Sequence, residues 1–307
     1  ADDGKVMIGC DSAGNQIRAL CHYLNSKDIN EHVLNGDIHQ RTADIVGVSR
    51  QLAKSLLYAT IFGAGFAKLG KMVNGIEDLE KGKEVKNKLY VAFPGLKELN
   101  NRLNKFFYTT QNKDGMGFIP ALDGRKIYAE SSFKLLNYLL QAYEAITVKS
   151  AVVNAFKMFK EEKLNVDILG LIHDEVQVQT KPENIKRVKE ILSYSFGDFI
   201  TKELELNIQM AGDAKEGNNW CFGWSAGLDF NSGTPVAAIC SLSTEEGCSS
   251  ISDTAGNLLF YTDGTIVWDK NHTSMLNGYG LTGHFSSTQS AIIIKKPGST
   301  TNYYIFT

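Results

Sequence analysis

The sequence predicts an α+β protein over residues 1–220, followed by a small all-β module. In the first part, long patterns of helical periodicity alternate with short apolar runs that are typical of strands. After Trp220, glycine, serine and threonine become dense, and turn signals such as Asp263-Gly264 separate short alternating runs. The predicted helices are 89–107, 135–161 and 183–203, and the predicted late strands are 258–262, 265–268, 291–294 and 303–306.

Three ionisable residues in a row, His173, Asp174 and Glu175, lie between two apolar stretches. The valines and glutamines at 176–179 alternate with a period of two, which indicates a half-buried strand. This pattern predicts a hairpin with two carboxylates at its tip. Buried carboxylates are costly unless a positive charge compensates them, and a divalent metal ion would do so. A surface turn with a solvated acidic pair is the alternative interpretation.

A further carboxylate, Asp11, follows the apolar run 6–10 and precedes a helical pattern. The apolar positions of that pattern are Ile17, Leu20, Cys21 and Leu24. The junction of a strand and a helix is a common location for a metal ligand. Sites that use two metal ions take carboxylates from separate elements and hold the ions about 4 Å apart. The alternative interpretation of Asp11 is a helix N-cap.

The run 50–62 predicts a helix that begins after the N-cap Ser49 and ends at Gly63. Residues four apart lie on one face of a helix. One face therefore has two cations followed by two aromatic rings, at Arg50, Lys54, Tyr58 and Phe62. Cations on successive turns repel each other unless a polyphosphate lies across them, and the rings would stack on a base or sugar. The alternative is a solvated basic stripe whose rings lie partly in the core.

Together these motifs resemble those of the family A DNA polymerases, most closely the replicative enzymes of short-tailed phages, over roughly residues 5–220. Five matches occur in the order of the family. They are motif A at 11–18, the segment leading into the fingers at 35–39, motif B at 50–63, the duplex-contacting stretch at 122–126 with Asn137 and Gln141, and motif C at 173–175. Single-subunit RNA polymerases share some of these positions, but the strings at 35–39 and 173–175 argue against them.

The resemblance implies DNA-templated transfer of a deoxynucleotide to a primer 3′-hydroxyl, with release of pyrophosphate and two Mg²⁺ ions as cofactors. Asp11 and Asp174 would hold the ions, and Glu175 would support that site. Lys54 would protonate the leaving pyrophosphate. The implied dNTP contacts are Arg50, Lys54, Tyr58, His39, Gln16 and Phe62, and the implied DNA contacts are His173, Asn137, Gln141 and Arg125.

Two positions depart from the family pattern. Gln16 stands where the family usually has Glu; its bulk is similar, so we expect it still to exclude a ribonucleotide 2′-hydroxyl. Phe133 stands where relatives often have a basic or polar residue, so no DNA contact is assigned to it.

The resemblance also implies a domain organisation. It divides the chain into palm (1–47), fingers (48–130), palm again (131–220) and a propeller-like all-β segment (221–307). The thumb of the family precedes motif A, so we expect the isolated chain to be weakly active or inactive. Primer–template DNA and dNTPs are the expected partners, with a processivity factor in the full-length protein.

Composition fits a soluble globular protein, with 21% charged and 43% hydrophobic residues and a formal net charge of −2. A net charge this small does not by itself indicate a nucleic-acid-binding protein. No apolar run is long enough to span a membrane, and we expect a cytoplasmic protein. Cys10 and Cys21 have apolar neighbours and are expected to be buried thiols. Cys240 and Cys248 are expected to form a disulfide if the tail is exported.

The tail resembles a different class of protein. Strings such as 226–230 and 256–264 are similar to those of a β-repeat region in cell-surface or secreted proteins of Bacteroidetes-type bacteria. A polymerase-like Gly217-x-x-Trp220 and a repeat-like Trp220-x-Phe-Gly223 overlap, which predicts a junction of two unrelated coding segments. The alternative to a polymerase is therefore a non-enzymatic surface β-repeat protein with an incidental N-terminal fusion.

Overall fold

The computed structural model describes residues 5–172, 174–216, 219–229, 236–244, 247–253, 256–283, 291–295 and 302–307. The chain forms two compact units, which are described separately below. The first unit comprises residues 1–10, 158–191 and 214–307, and the second comprises residues 11–157 and 192–213. In the part of the chain described, no helix is both long and apolar enough to cross a membrane.

The second unit is mainly helical. Its helices, two of which extend into the first unit, are α1 (Asn15–Leu24), α2 (Lys27–Leu34), α3 (Ile38–Val46), α4 (Arg50–Ile61), α5 (Phe66–Asn74), α6 (Leu79–Ala92), α7 (Leu96–Thr110), α8 (Leu135–Glu161), α9 (Ile185–Tyr194) and α10 (Ile200–Glu203). Serine or aspartate side chains accept backbone N–H groups at the starts of four of them, at Ser26, Asp37, Ser49 and Asp78. These local signals explain why α2, α3, α4 and α6 begin where they do.

Two long helices expected from the periodicity are interrupted. The expected helix 89–107 is wrong, because Pro94 and Gly95 separate α6 from α7 and Gly95 has a φ of 90°. The expected helix 183–203 begins as a 3₁₀ turn and contains a π-helical segment, Ser195–Phe199. By contrast, α8 has the bounds that the sequence predicts. Within the second unit, α3 to α6 share a core of Val46, Leu56, Leu69, Val85 and Leu89.

The strands of the first unit begin with a four-stranded sheet in the order β4-β5-β1-β6. Its strands are β1 (Val6–Ser12), β4 (Val166–Ile172), β5 (Glu175–Thr180) and β6 (Gly212–Glu216). The strands β4 and β5 are antiparallel, with Ile172 opposite Glu175. This confirms the hairpin expected around the three ionisable residues. A further hairpin, β2 (Gly117–Pro120) with β3 (Lys126–Ala129), belongs to the second unit.

In the described residues after 218 the regular structure is all β-strand, as expected. Its strands are β7 (Asn219–Phe222), β8 (Trp224–Asp229), β9 (Val236–Ser243), β10 (Ser249–Ser252), β11 (Leu258–Thr262), β12 (Ile266–Asp269), β13 (Ser274–Tyr279), β14 (Ile292–Lys295) and β15 (Tyr303–Phe306). They form three sheets, in the orders β7-β8-β9, β10-β11-β12-β13 and β14-β15. The four predicted late strands are all present, within one residue of the expected bounds.

The disulfide of this module is not the expected one. Cys221 on β7 is bonded to Cys240 on β9, and Cys248 is a thiol whose sulfur donates to the Cys221 carbonyl oxygen at 2.9 Å. The bond crosses over β8 at Gly227, which pairs with Cys221; a Cβ there would come within 2.7 Å of the Cys240 sulfur. The expected Cys240–Cys248 pairing is therefore wrong, because sheet register rather than sequence spacing selects the partner. Cys10 and Cys21 are buried thiols, as predicted.

Candidate active site

The β4–β5 hairpin places a carboxylate against a neighbouring strand. Glu175 begins β5 and is half-buried, and Asp174 occupies the turn before it; His173 lies outside the described residues. The Gln177 side-chain amide donates to Glu175 Oε1. A Cβ on Gly9 of β1 would overlap that same oxygen and would come within 2.8 Å of Gln177 Nε2. Glycine at position 9 therefore makes room for the Glu175 carboxylate beside the backbone of β1.

Burial raises the pKa of the Glu175 carboxyl, and the negative charge of Asp174 raises it further. The hydrogen bond from Gln177 and the charge of Lys215 act in the opposite direction. This corner of the sheet therefore has a surplus of negative charge. Within the ranges described, no group of three or more His, Cys, Asp or Glu side chains forms a ready-made metal cage. Magnesium does not require one, because it is usually held by one or two carboxylates together with substrate phosphates.

Asp11 lies within β1, which is hydrogen bonded to β5 in the sheet. The N-cap position of α1 is occupied by Gly14, which has a φ of 59°, so the interpretation of Asp11 as the N-cap is wrong. Residues two apart on a strand share a face, and Asp11 is two residues beyond Gly9. Asp11 is thus a half-buried carboxylate on a strand, rather than a capping group.

In the second unit, α4 has the expected amphipathic face. Ser49 accepts from the Leu52 N–H and starts the helix, and three apolar residues of the helix, Leu56, Leu57 and Ile61, are buried. The face of interest has three half-buried side chains and one exposed ring, in the order Arg50, Lys54, Tyr58 and Phe62. The ring centroids of Tyr58 and Phe62 are 6.4 Å apart. The predicted stripe of two cations and two rings is therefore present on one helix.

The start of α3 supplies two further groups to this face. The ring of His39 is 6.3 Å from that of Tyr58. Asp37 accepts hydrogen bonds at 3.0 Å from the backbone N–H groups of His39 and Gln40, and at 2.7 Å from Arg50 Nε. A single carboxylate thus caps α3 and fixes the first cation of α4. This role of Asp37 was not predicted from the sequence, although an aspartate just before a helical run is a recognisable cap signal.

The electrostatics of this cluster favour an anion. Burial lowers the pKa of His39 to about 4, and the charges of Lys54 and Arg50 add to that effect. Burial also lowers the pKa of Lys54, again with a contribution from Arg50. His39 Nδ1 is buried and has no hydrogen-bond partner among the described residues. Two cations and an unsatisfied imidazole nitrogen therefore lie beside two aromatic rings.

The sequence model for DNA polymerase family A matches residues 1–221. The chain belongs to DNA polymerase family A. It is 28% identical over 235 residues to the DNA-directed DNA polymerase of Enterobacteria phage T3 and 28% identical over 233 residues to that of Escherichia phage T7. Each alignment covers 70% of this chain and 33% of the phage enzyme, so the chain spans about one third of their length. The DNA polymerase I of Aquifex aeolicus (strain VF5) is 24% identical over 226 residues, covering 68% of this chain and 39% of that enzyme.

The fold of this family A chain is also similar to a solved structure, described as the POL domain of Pol1 from M. smegmatis in complex with DNA primer-template and dNTP. The TM-score is 0.61 with 16% sequence identity, over 71% of this chain and 40% of the other. The polymerase fold expected from the sequence is thereby confirmed. The family match ends at residue 221, and the resemblance of the tail to surface β-repeat proteins remains a prediction.

The other site residues expected for this family A polymerase are on two helices and a turn. Gln16 is half-buried in the first turn of α1. On α8, Asn137 and Gln141 lie four residues apart on one face; Asn137 Oδ1 is buried and has no partner in the part of the chain described. Arg125, in the turn between β2 and β3, is exposed and donates to Asp123 at 2.7 Å.

One polar residue of the same unit, Asn15, was not predicted to have a role. Asn15 is only 3% exposed, and neither its side-chain oxygen nor its side-chain nitrogen has a hydrogen-bond partner among the residues described. It is the first residue of α1, next to Gln16. An asparagine at a helix start is ordinarily an exposed cap, so no local sequence signal distinguishes a buried one.

Proposed function

We propose that this chain carries the nucleotidyl-transfer centre of a DNA-templated DNA polymerase, which adds dNMP to a primer 3′-hydroxyl and releases pyrophosphate. The single observation that supports this most strongly is the cluster on α3 and α4, where two cations and a half-buried imidazole lie beside two rings. Phosphates need the first set of groups, and a base and sugar need the second. Membership of the family makes this reaction the simplest explanation.

In this proposal, Arg50, Lys54 and His39 bind the triphosphate. Arg50 is held in position by Asp37, so its guanidinium is already oriented for phosphate oxygens. The lowered pKa of Lys54 makes its ammonium a better proton donor to the leaving pyrophosphate. Tyr58 and Phe62 pack on the nucleoside, and Gln16 excludes a 2′-hydroxyl.

We propose that Asp11 and Asp174 hold two magnesium ions and that Glu175 supports them. These residues fit magnesium, because their carboxylates are oxygen ligands. Asp11 is on β1 and Glu175 is on β5, and these two strands are neighbours in one sheet. The ions would lower the pKa of the primer hydroxyl and neutralise the phosphates. Gln177 holds Glu175 against Gly9, so this carboxylate is oriented before any ion arrives.

On the DNA side, we propose that Asn137 and Gln141 reach minor-groove acceptors, which nearly all correct base pairs share. Arg125 and His173 would contribute further DNA contacts. Primer–template DNA and dNTPs are the proposed partners, with a processivity factor for the longer protein and the cytoplasm as the compartment. The proposed division is palm at 1–47 and 131–220, fingers at 48–130, and a separate all-β module at 221–307.

The test is equilibrium binding of a labelled dNTP to the full chain, with and without Mg²⁺, followed by single-nucleotide extension of a primer–template. We expect Lys54→Ala to weaken dNTP binding about tenfold, as for the loss of one charge-assisted contact. Lys71→Ala is the matched control, because Lys71 is an exposed lysine on the next helix, α5. Asp174→Asn should abolish the magnesium dependence. Magnesium-dependent binding that is the same in all four proteins would rule the proposal out.

A further inference from the structure

The acidic corner of the four-stranded sheet, which we define as Asp174 and Glu175, adjoins a strand position that has no side chain. Gly9 lies in β1, which has β5 on one side and β6 on the other. A Cβ on Gly9 would overlap Glu175 Oε1 and would come within 2.8 Å of Gln177 Nε2. Both of these side chains therefore extend from β5 over the backbone of β1, in the direction of β6.

The alignment of β6 with β1 follows from one hydrogen bond. Ala13, just after the end of β1, donates from its backbone N–H to the carbonyl oxygen of Ala211, just before the start of β6, at 2.9 Å. The end of β1 is thus beside the start of β6, so the two strands run antiparallel. In a regular ladder, four steps back from Ala13 and four steps forward from Ala211 bring Gly9 opposite Lys215.

Lys215 consequently shares a face of the sheet with the Glu175 carboxylate. Residues directly opposite each other in an antiparallel pair project to the same side, with their Cβ atoms about 5 Å apart. Because a Cβ on Gly9 would overlap Glu175 Oε1, the Cβ of Lys215 lies within roughly 5–7 Å of that oxygen. The flexible four-carbon stem of a lysine can cross such a gap, and a side chain at position 9 would obstruct it.

The charges and hydrogen-bonding groups of the corner agree with this placement. Burial and the negative charge of Asp174 raise the pKa of the Glu175 carboxyl, and the charge of Lys215 acts in the opposite direction. Gln177 is only 6% exposed, and its Oε1 atom has no hydrogen-bond partner among the residues that the structure describes. A lysine ammonium has three donors, which is enough to serve the Glu175 carboxylate and Gln177 Oε1 together.

We propose that Lys215 is a positioning residue of the acidic corner, which pairs with Glu175 across Gly9 and holds its carboxylate in place until a divalent ion binds. An ion that arrives at the corner meets the ammonium as a like charge, so Lys215 weakens the binding of ions to the free protein. Substrate phosphates offset that repulsion, and the ions are therefore favoured to bind together with the nucleotide. The pairing does not depend on the proposed function, whereas its consequence for magnesium rests on it.

The pairing is measured by a double-mutant cycle of Lys215→Met and Glu175→Gln, with urea unfolding of the full chain in EDTA. Met has a similar length to Lys but no charge. We expect a coupling of roughly 1.5- to 5-fold in the unfolding equilibrium constant, as for a partly exposed ion pair, and its loss in 1 M salt. Lys186→Met is the matched control, because Lys186 is an exposed lysine on α9 in the same unit and should show no coupling to Glu175. Additive effects of Lys215→Met and Glu175→Gln at low salt would overturn the proposal.

The consequence for ions is measured with Mn²⁺ alone as the probe, by electron paramagnetic resonance of the free ion and without nucleotide. We expect Lys215→Arg to bind Mn²⁺ as the parent does, Lys215→Met to bind it about 3- to 10-fold more tightly, and Lys215→Glu more tightly still. This order follows the charge at position 215, which a merely structural role would not produce. Equal affinities in all four proteins, or weaker binding by Lys215→Met, would contradict the proposal.

Failure of the proposed function has a separate signature. The chain would bind no Mn²⁺ in any variant, while the coupling between Lys215 and Glu175 persists in EDTA. That result would refute the magnesium site and would leave the pairing across Gly9 established.

Discussion

Asp37 combines two interactions that a pair of substitutions can separate. Its carboxylate caps α3 by accepting from two backbone N–H groups, and it also pairs with Arg50 at 2.7 Å. Asn at this position can still accept both backbone bonds but has no charge, whereas Ala removes both interactions. Asn and Asp are about equally good N-caps. The difference in unfolding free energy between Asp37→Ala and Asp37→Asn therefore measures the contribution of the N-cap alone.

The magnitudes follow from each interaction. Loss of an N-cap costs about 1 kcal/mol. The ion pair is about 40% exposed on each partner, so it contributes no more than about 0.5 kcal/mol. We therefore expect Asp37→Ala to lower the free energy of unfolding by about 1.5 kcal/mol, and Asp37→Asn by about 0.5 kcal/mol. In melting temperature these values correspond to roughly 3–6 °C and 1–2 °C for a unit of this size.

The assay is thermal and urea unfolding of the parent and both variants, followed by circular dichroism. Adding 1 M salt should screen the ion pair and bring the stability of Asp37→Asn close to that of the parent. Asp37→Ala should remain less stable than the parent, because it also lacks the N-cap. Equal losses in the two variants would show that the cap contributes nothing. A larger loss in Asp37→Asn than in Asp37→Ala would refute the whole scheme.

Three further predictions concern other parts of the molecule. Gly9→Ala should cost no more than about 1 kcal/mol in urea unfolding, because its Cβ displaces the ends of the Glu175 and Gln177 side chains, whereas Gly170→Ala, which meets no atom within 4 Å, should be neutral; equal values would contradict the close approach. Because the folded-state pKa of His39 is about 4, the unfolded chain binds more protons between pH 4 and the usual imidazole pKa of 6.5. The parent should thus lose stability as pH falls through that window and His39→Gln should lose less, and parallel pH profiles would refute the assignment. Cys240→Ser should destabilise the all-β module by about 3 kcal/mol, and Cys248→Ser should leave the Cys221–Cys240 link detectable by peptide mass spectrometry; a Cys240–Cys248 peptide in the parent would contradict the pairing described.

Local signals were enough to predict the elements of the site. The helix α4 depends on a cap at Ser49 and on residues spaced four apart, and both are readable within a dozen positions. The β4–β5 hairpin depends on alternation along a short run. Pro94-Gly95 is also a local signal for the break between α6 and α7. The helical periodicity on both sides of it nevertheless favours one continuous helix.

What the sequence could not supply are contacts between distant positions. Nothing near Gly9 indicates that a glutamate 166 positions later needs the space of its missing side chain. The disulfide shows the same limit, since a short spacing favoured Cys248 while the register of three strands brings Cys221 and Cys240 together over Gly227. In both cases a glycine marks the position of the contact in the sequence. The reason for that glycine can be recognised only when the neighbouring strand is known.

The charges around α4 explain why the cations of the cluster remain available to an anionic ligand. Asp37 is an acidic group that offsets the repulsion there, and it is already engaged by Arg50 and by two backbone N–H groups. It therefore fixes the geometry of the cations without neutralising Lys54 or His39, whose pKa values both remain lowered. An arriving polyphosphate would raise both pKa values, so binding should take up protons, and the uptake should be largest just above the folded-state pKa of His39. Calorimetry in two buffers of different ionisation enthalpy measures that uptake directly, and binding with no proton uptake near pH 5 would show that His39 does not face the phosphates.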